Sequence, residues 1–481
     1  MASPIFLVLL CFILCFSPSS QTILLPLTHS ISKTKFNSTH HLLKSTSTRS
    51  KARFHHQHHK HQTQVSLPLA PGSDYTLSFN LGSNPPQLIT LYMDTGSDLV
   101  WFPCSPFECI LCEGKPQTTK PANITKQTHS VSCQSPACSA AHASMSSSNL
   151  CAISRCPLDY IETSDCSSFS CPPFYYAYGD GSFVANLYQQ TLSLSSLHLQ
   201  NFTFGCAHTA LAEPTGVAGF GRGILSLPAQ LSTLSPHLGN RFSYCLVSHS
   251  FDGDRLRRPS PLILGRHNDT ITGAGDGESV EFVYTSMLSN PKHPYYYCVG
   301  LAGISVGKRT VPAPEILKRV DEKGNGGMVV DSGTTFTMLP ESFYNAVVNE
   351  FDKRVNRFHK RASEIETKTG LGPCYYLNGL SQIPVLKLHF VGNNSDVVLP
   401  RKNYFYEFMD GGDGIRRKGK VGCMMLMNGE DETELDGGPG ATLGNYQQQG
   451  FEVVYDLEKE RVGFAKKECA LLWDSLNSEK N

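Results

Sequence analysis

Two short segments of this chain place acidic, hydroxyl and glycine residues in the same order. LYMDTGSDLVW (91–101) carries Asp94 after an apolar run, and GMVVDSGTTFTML (327–339) carries Asp331 in the same position. A glycine two residues after each aspartate permits a tight turn at the end of a strand. The neighbouring hydroxyls could bond the carboxylates and tie the two turns together. The residues expected to support the aspartates are Thr95, Gly96, Ser97, Ser332, Gly333 and Thr334.

A pair of such turns predicts a specific chemistry. Two carboxylates a few ångströms apart cannot both ionise easily, so they share one proton. One then acts as a base that activates water, and the other as an acid that protonates the carbonyl oxygen of an amide. A single Asp-Thr-Gly occurs by chance in many turns. Two copies, each after a hydrophobic run, predict that Asp94 and Asp331 form a catalytic dyad.

Other motifs give weaker indications of chemistry. GFGRG (219–223) resembles a nucleotide-binding loop superficially, but no helix and acidic residue follow at the required distance. Cys109-x-x-Cys112 would need a second pair of similar spacing to form a zinc site. A phosphatase-like aspartate nucleophile would need a second aspartate two positions on, which neither motif has. We therefore expect no metal and no cofactor.

The composition and the N-terminus indicate a secreted protein. Lys plus Arg and Asp plus Glu are both 41, so net charge favours neither nucleic acid nor a membrane surface as a partner. Ile5 to Phe16 is an apolar run followed by SPSSQ, which predicts a signal peptide over residues 1–20. A membrane anchor is the alternative, because no Lys or Arg precedes the run. We expect an extracellular location, or else the vacuole.

Cysteine usage agrees with an oxidising compartment. Removal of Cys11 and Cys15 with the signal leaves 15 of the 17 cysteines, many of them closely spaced, which predicts a disulfide framework. The odd count requires at least one free thiol or an intermolecular bridge. Four sequons predict glycosylated surface loops; they begin at Asn123, Asn201, Asn268 and Asn393.

Residues 21–68 differ in composition from the rest of the chain. They are basic, rich in Ser and Thr, and contain HHQHHKH (55–61). Such a composition predicts that the segment cannot bury a core. It could be a disordered linker, a metal-binding histidine tract or, as the dyad chemistry favours, a removable pro-segment.

The remainder of the chain has the pattern of a β protein. From Tyr75 onwards, short alternating runs are broken by Gly, Pro and Asn, while helical periodicity is clear only over 340–355. We expect an all-β fold with few short helices. The predicted lobes are residues 69–285, with the first aspartate, and residues 286–475, with the second.

Over residues 72–470 the chain resembles the pepsin-like aspartic proteases, and among them the nepenthesin-like enzymes of plants. The resemblance rests on both aspartate motifs and on the blocks FTFGCAH, GVAGFGRGILSLPAQL, RFSYCLVSHSF, YYYCVGLAGISVGKRTVP and ATLGNYQQQGFEVVYDLEKERVGFA. It implies a bilobal pepsin-like acid protease fold with a central cleft, one catalytic aspartate from each lobe and polypeptide substrates. We also expect a monomer without a stable membrane anchor.

The resemblance implies further roles for single residues. YAYGDGS (176–182) resembles the flap hairpin over the cleft, with Tyr178, Gly179 and Asp180, and Trp101 matches the tryptophan that bonds the flap tyrosine. After Ser182 the chain departs from the family pattern, and Asn186 replaces an expected glycine. Leu443 and Gly444 match the element beneath the second aspartate. The resemblance also implies the disulfides Cys206–Cys469 and Cys374–Cys423, and leaves Cys298 as the odd thiol.

The sequence therefore predicts a secreted aspartic endopeptidase that needs no covalent intermediate. The alternative is a non-catalytic binder on the same fold, like the xylanase-inhibitor-like proteins. Such proteins usually carry damaged catalytic or flap motifs, whereas both aspartates and Tyr178 are present here. A disulfide-rich structural wall protein would have no reason to keep two matched aspartate turns.

Overall fold

The structure is a computed structural model of the 481-residue chain. It describes residues 23–29, 38–58, 75–113, 120–178, 181–195, 197–248, 259–265, 282–379, 382–410, 419–429 and 438–478, with side chains described only to residue 51 within the segment 38–58. The predicted signal peptide, residues 59–61 of the histidine run, Gly179, Asp180 and Asn268 lie outside these residues.

The described part of the chain is predominantly β-sheet, as predicted. In the first half the strands are β1 (Ile23–His29), β2 (Tyr75–Leu81), β3 (Gln87–Asp94), β4 (Val100–Ile110), β5 (His129–Ser130), β6 (Phe174–Tyr178), β7 (Gly181–Leu194), β8 (Leu197–Leu211), β9 (Val217–Gly219), β10 (Arg241–Cys245) and β11 (Ser260–Leu264). In the second half they are β12 (Val283–Leu288), β13 (Cys298–Val299), β14 (Leu301–Val306), β15 (Arg309–Pro312), β16 (Met328–Val330), β17 (Thr337–Leu339), β18 (Cys374–Tyr376), β19 (Leu386–Phe390), β20 (Asp396–Val398), β21 (Phe405–Asp410), β22 (Gly419–Met424), β23 (Leu426–Asn428), β24 (Ala441–Leu443), β25 (Phe451–Asp456) and β26 (Arg461–Lys466).

Most of the described helices are short. They are α1 (Thr39–His58), α2 (Pro136–Ala141), α3 (Ser147–Ile153), α4 (Leu158–Glu162), α5 (Leu227–Leu234), α6 (Glu315–Lys318), α7 (Glu341–Val355), α8 (Ser363–Thr369), α9 (Asn445–Gln448) and α10 (Cys469–Ser478), with 3-10 turns at Pro236–Leu238 and Arg401–Asn403. The helix predicted over 340–355 is α7, in which Phe343, Val347 and Phe351 recur every four residues on the buried face. None of the described helices is both long and apolar enough to cross a membrane.

The two halves repeat one strand arrangement around the aspartate turns. In the first, β9 runs parallel to β3 and antiparallel to β4. In the second, β24 runs parallel to β16 and antiparallel to β17. In each half, the aspartate turn connects the two strands that lie on either side of the third. These are β3 and β4 on either side of β9, and β16 and β17 on either side of β24. The repeated sequence motif therefore corresponds to a repeated piece of structure.

A six-stranded antiparallel sheet joins the two halves. Its strands pair in the order β1, β11, β10, β25, β26 and β12. Three strands come from each half of the chain, and β10 against β25 is the seam between them. This sheet lies behind the aspartate turns and fixes how the halves meet.

The prediction that residues 21–68 cannot bury a core is wrong for two parts of that segment. Strand β1 is the edge strand of the six-stranded sheet, where Ile23, Leu25 and Leu27 are at most 6% exposed. In helix α1, Leu42 and Leu43 pack into the cluster that contains Phe336 and Met338. The polar composition misled because both parts bury their few apolar residues against surfaces supplied by the rest of the chain.

The disulfide framework corrects one of the two predicted pairings. The Cys206–Cys469 bond is not formed; Cys206 pairs with Cys104 and Cys469 with Cys245. Strands β4 and β8 run parallel, with Phe102 opposite Cys206, and this register brings Cys104 close. The Cys374–Cys423 bond is present, and Cys298 is a free, buried thiol. The remaining pairs are Cys109–Cys112, Cys133–Cys151, Cys138–Cys171 and Cys156–Cys166.

Candidate active site

The aspartate turns follow strand ends, and each carboxylate is bonded by its own turn. Asp94 ends β3 and Asp331 follows β16, and both are 0% exposed. The Gly96 amide donates to Asp94 Oδ1 at 2.9 Å, and the Gly333 amide donates to Asp331 Oδ1 at 2.7 Å. Backbone amides thus hold one oxygen of each carboxyl group in place.

The residues after the aspartates interlock the two turns. Thr95 Oγ1 accepts from the Ser332 amide at 2.8 Å and donates to the Val330 carbonyl at 2.9 Å. Ser332 Oγ accepts from the Thr95 amide at 3.0 Å and donates to the Met93 carbonyl at 3.1 Å. Four hydrogen bonds therefore join the turns, and all of them are buried.

The Asp331 carboxyl lies directly against Gly96, so a side chain at position 96 would clash with it. A Cβ built on Gly96 would lie 2.7 Å from Asp331 Oδ1 and 2.8 Å from Asp331 Cγ. The carboxyl of the second turn therefore rests on the backbone of the first. The Gly96 amide also donates to Asp94 Oδ1, so the same glycine contacts both carboxyl groups.

The hydroxyl residue three positions after each aspartate, Ser97 or Thr334, has different hydrogen bonds in the two turns. Thr334 Oγ1 donates to Asp331 Oδ2 at 2.5 Å. Ser97 Oγ is buried and has no hydrogen-bond partner among the described residues. The dyad therefore has unequal surroundings despite its symmetrical sequence.

A third carboxyl lies close to the first turn. Burial raises the pKa of Asp98 to about 6, although the Gly223 and Leu225 amides that bond the carboxyl act in the opposite direction. Asp98 Oδ1 is sealed from solvent and has no partner among the described residues. Sequence reasoning missed this residue, because only the fold brings the loop after β9 against it.

The hairpin predicted to be the flap contacts Trp101. Strands β6 and β7 pair with Tyr178 opposite Gly181, and Trp101 Nε1 donates to Tyr178 Oη at 2.7 Å. This is the contact that the family resemblance implies. The unusual Phe183 stacks on Trp101 with ring centroids 3.9 Å apart. Asn186 sits within β7 and does not have the positive φ that a glycine-like turn would require.

The described part of the chain contains one cluster of side chains of the types that bind metal ions. Cys138, His142 and Cys171 have their ligand atoms within 4.8 Å of one another. The two sulfurs are bonded to each other in a disulfide, so they are not thiolates available to a metal. Cys109 and Cys112 are likewise joined.

Comparison with known proteins places this chain in a family. The family model described as xylanase inhibitor N-terminal matches residues 75–265, and the one described as xylanase inhibitor C-terminal matches residues 296–466. A protein of Arabidopsis thaliana named "Probable aspartyl protease" is 62% identical over 477 residues, covering 96% of this chain and 95% of the relative. The chain belongs to the plant pepsin-like aspartic protease group.

More distant members and solved structures agree with this membership. Aspartic proteinase nepenthesin-1 of Nepenthes gracilis is 28% identical over 409 residues, covering 83% of this chain and 79% of the relative. The crystal structure of edgp matches with a TM-score of 0.58 at 18% identity, covering 83% of this chain and 92% of that one. Basic 7S globulin from soybean matches with a TM-score of 0.57 at 18% identity, covering 83% and 97%. At this identity the two structures show the shared fold, which is bilobal and all-β.

Proposed function

We propose that the chain is an aspartic endopeptidase whose dyad is Asp94 and Asp331. The observation that carries the proposal is the interlocked pair of turns, in which both carboxylates are buried and held by amides. Aspartic proteases are the established example of two carboxylates that share one proton. The dyad activates a water molecule that attacks the scissile carbonyl, and no covalent intermediate forms.

The substrate in this proposal is an extended polypeptide lying in the cleft between the lobes. An extended chain can bond the flap strands through its own backbone, as an added strand does. The flap hairpin closes over it and excludes water. Trp101 holds the flap hydroxyl of Tyr178 from behind. Gly179 and Asp180 complete the flap tip in this proposal.

We further propose that the enzyme is made as a secreted zymogen. Residues 1–20 are removed as a signal peptide, and residues 21–68 form the pro-segment. Helix α1 supports this, because Arg49 donates to Thr335 Oγ1 at 3.2 Å and the Phe336 amide donates to Ser50 Oγ at 3.1 Å. Both contacts lie just after the second aspartate turn. The exposed Asn123, Asn201 and Asn393 are proposed to carry glycans, as is Asn268.

The decisive experiment is cleavage of a peptide library by the acid-treated protein and its variants. Asp94→Asn and Asp331→Asn should each abolish cleavage while the circular dichroism spectrum stays unchanged. Asp159→Asn is the matched control, because Asp159 is exposed on α4. Full turnover in Asp94→Asn would contradict the proposed roles.

A second function is favoured by the family descriptions themselves. Both family models are described as halves of a xylanase inhibitor, and one matching structure is named a globulin. A non-catalytic binder on this fold would bind its partner without cutting it. A statine-type transition-state inhibitor separates the two functions, because the protease should bind it and lose activity whereas a binder has no activity to lose.

A further inference from the structure

Three buried side chains form a hydrogen-bonded chain beneath the dyad, which we call the tyrosine relay. It consists of Tyr455 on β25, Tyr244 on β10 and Gln448 on α9, each at most 1% exposed. The hydroxyl oxygens of Tyr455 and Tyr244 are 2.8 Å apart, and Tyr244 Oη donates to Gln448 Oε1. Because the single proton of Tyr244 goes to the amide oxygen, its oxygen accepts from Tyr455. The relay therefore has one direction.

One end of the relay holds the backbone of Asp331. Gln448 Nε2 donates to the Leu443 carbonyl at 2.8 Å and to the Asp331 carbonyl at 3.3 Å. The Asp331 amide donates to the same Leu443 carbonyl at 3.1 Å. Both backbone groups of the second aspartate are thus linked to Gln448, whose orientation is set by Tyr244.

The other end of the relay reaches the interlocked turns. Tyr455 Oη lies 3.4 Å from the Val330 carbonyl oxygen, which accepts from Thr95 Oγ1 at 2.9 Å. Because the Tyr455 proton goes to Tyr244, this is a contact and not a second hydrogen bond. The relay therefore contacts the peptide groups on both sides of Asp331. It also crosses the seam between the halves, because β10 and β25 pair there.

We propose that Tyr244, Tyr455 and Gln448 are positioning residues that hold the Asp331 carboxylate in register with Asp94 across the lobe boundary. The proposal rests on the proposed protease function. It assigns no proton transfer to the tyrosines. Their work is to fix the backbone from which the second carboxylate projects, because a small displacement of a catalytic group sharply lowers the rate.

The surroundings of the relay keep its tyrosine hydroxyls protonated and restrict their movement. Burial raises the pKa of both tyrosine hydroxyls above the ordinary value, so each keeps its proton throughout the acid and neutral range. Phe242 stacks on the Tyr455 ring with centroids 4.7 Å apart, which leaves the Tyr455 ring little freedom to turn. Loss of one hydroxyl would leave a buried polar group without its partner.

The chain offers a matched control within the same aromatic cluster. Tyr297 is also fully buried, and its ring centroid lies 4.4 Å from that of Tyr455. Its hydroxyl, however, has no hydrogen-bond partner among the described residues. Tyr297→Phe therefore makes the same chemical change in the same core without touching the relay.

The experiment measures kcat and KM of Tyr244→Phe, Tyr455→Phe, their double variant and Tyr297→Phe on one peptide substrate. We expect kcat to fall about tenfold in each relay variant with KM within about twofold, and Tyr297→Phe to match the parent. Because the relay is one linked chain, the double variant should lose no more activity than the worse single variant. If Tyr244→Phe does not fold, Tyr455→Phe decides alone.

Two results would overturn the relay: a kcat for the relay variants equal to that of Tyr297→Phe, or losses that multiply in the double variant. Amide hydrogen exchange over residues 326–336 supplies a readout that needs no activity. Exchange there should be faster in Tyr244→Phe than in Tyr297→Phe, and equal rates would refute the relay. Faster exchange together with an inactive parent protein would keep the relay and refute the proposed function instead.

Discussion

Replacing Thr95 with valine tests whether the interlocked turns hold the two lobes together. Valine matches threonine in shape, so the change removes the hydroxyl without opening a cavity. The Ser332 amide then loses its acceptor at 2.8 Å, and the Val330 carbonyl loses a donor at 2.9 Å. Each buried group left unpaired costs about 1–3 kcal/mol.

The two losses are unequal, which sets the expected magnitude. Tyr455 Oη, 3.4 Å from the Val330 carbonyl, can replace the lost donor only by giving up its bond to Tyr244, whereas the Ser332 amide loses its acceptor outright. We therefore expect the free energy of unfolding to fall by about 2–4 kcal/mol. Kcat should fall as well, because the same bonds set the relative position of the aspartates.

The assay is urea unfolding at pH 7, monitored through the fluorescence of Trp101 and Trp473. Thr233→Val is the control, since Thr233 is exposed on α5 and bonds only the Ala229 carbonyl of its own helix at 3.1 Å. The control should change stability by less than about 0.5 kcal/mol. Equal stability of the two variants would refute the argument that these bonds hold the lobes in register.

The remaining predictions concern the third carboxyl, the flap and the disulfides. Because the folded pKa of Asp98 is about 6 against an ordinary 3.8, the folded chain binds the proton more tightly, and this contribution to stability is lost as pH rises through that window. Between pH 3.8 and about 6, Asp98→Asn should reduce the steepness with which the free energy of unfolding falls with pH by up to roughly 1.4 kcal/mol per pH unit. An unchanged pH dependence would show that Asp98 titrates normally. Trp101→Phe removes the donor to Tyr178 and should lower kcat/KM about tenfold with the melting temperature kept within a few degrees; unchanged kinetics would rule out a role in the flap. Peptide mapping without reduction should recover linked peptides, and their absence would contradict the framework; the diagnostic pairs are Cys104–Cys206 and Cys245–Cys469.

Much of the site was predictable because each aspartate turn is formed by residues that are close together in the sequence. An aspartate, a hydroxyl and a glycine at a strand end specify a turn and its carboxylate bonds within a few residues, so both aspartate turns could be located from the sequence. The same holds for α7, whose apolar residues repeat at helical spacing. The asymmetry between Ser97 and Thr334 could not be predicted, because the two motifs have the same pattern of residue types.

Features that depend on how distant strands align in the fold could not be predicted from the sequence. The partner of Cys206 follows from how β4 lies beside β8, and no spacing in the chain encodes that alignment. Tyr244 and Tyr455 are ordinary strand residues in sequence, and their hydroxyls meet only because β10 pairs with β25. Strand β1 was missed for the same reason, since its partner edge lies more than two hundred residues away, with Ile23 opposite Leu264.

If residues 21–68 are the proposed pro-segment, the edge strand β1 has a consequence for how its removal is detected. Five of its residues pair with β11, and α1 is packed separately against the second lobe. A protease nick between residues 59 and 74 would therefore sever the covalent link without freeing either part. Denaturing electrophoresis would show a shortened polypeptide, while native mass spectrometry would still weigh the intact assembly. Scission and departure of the N-terminal fragment are thus distinct events that need separate measurements.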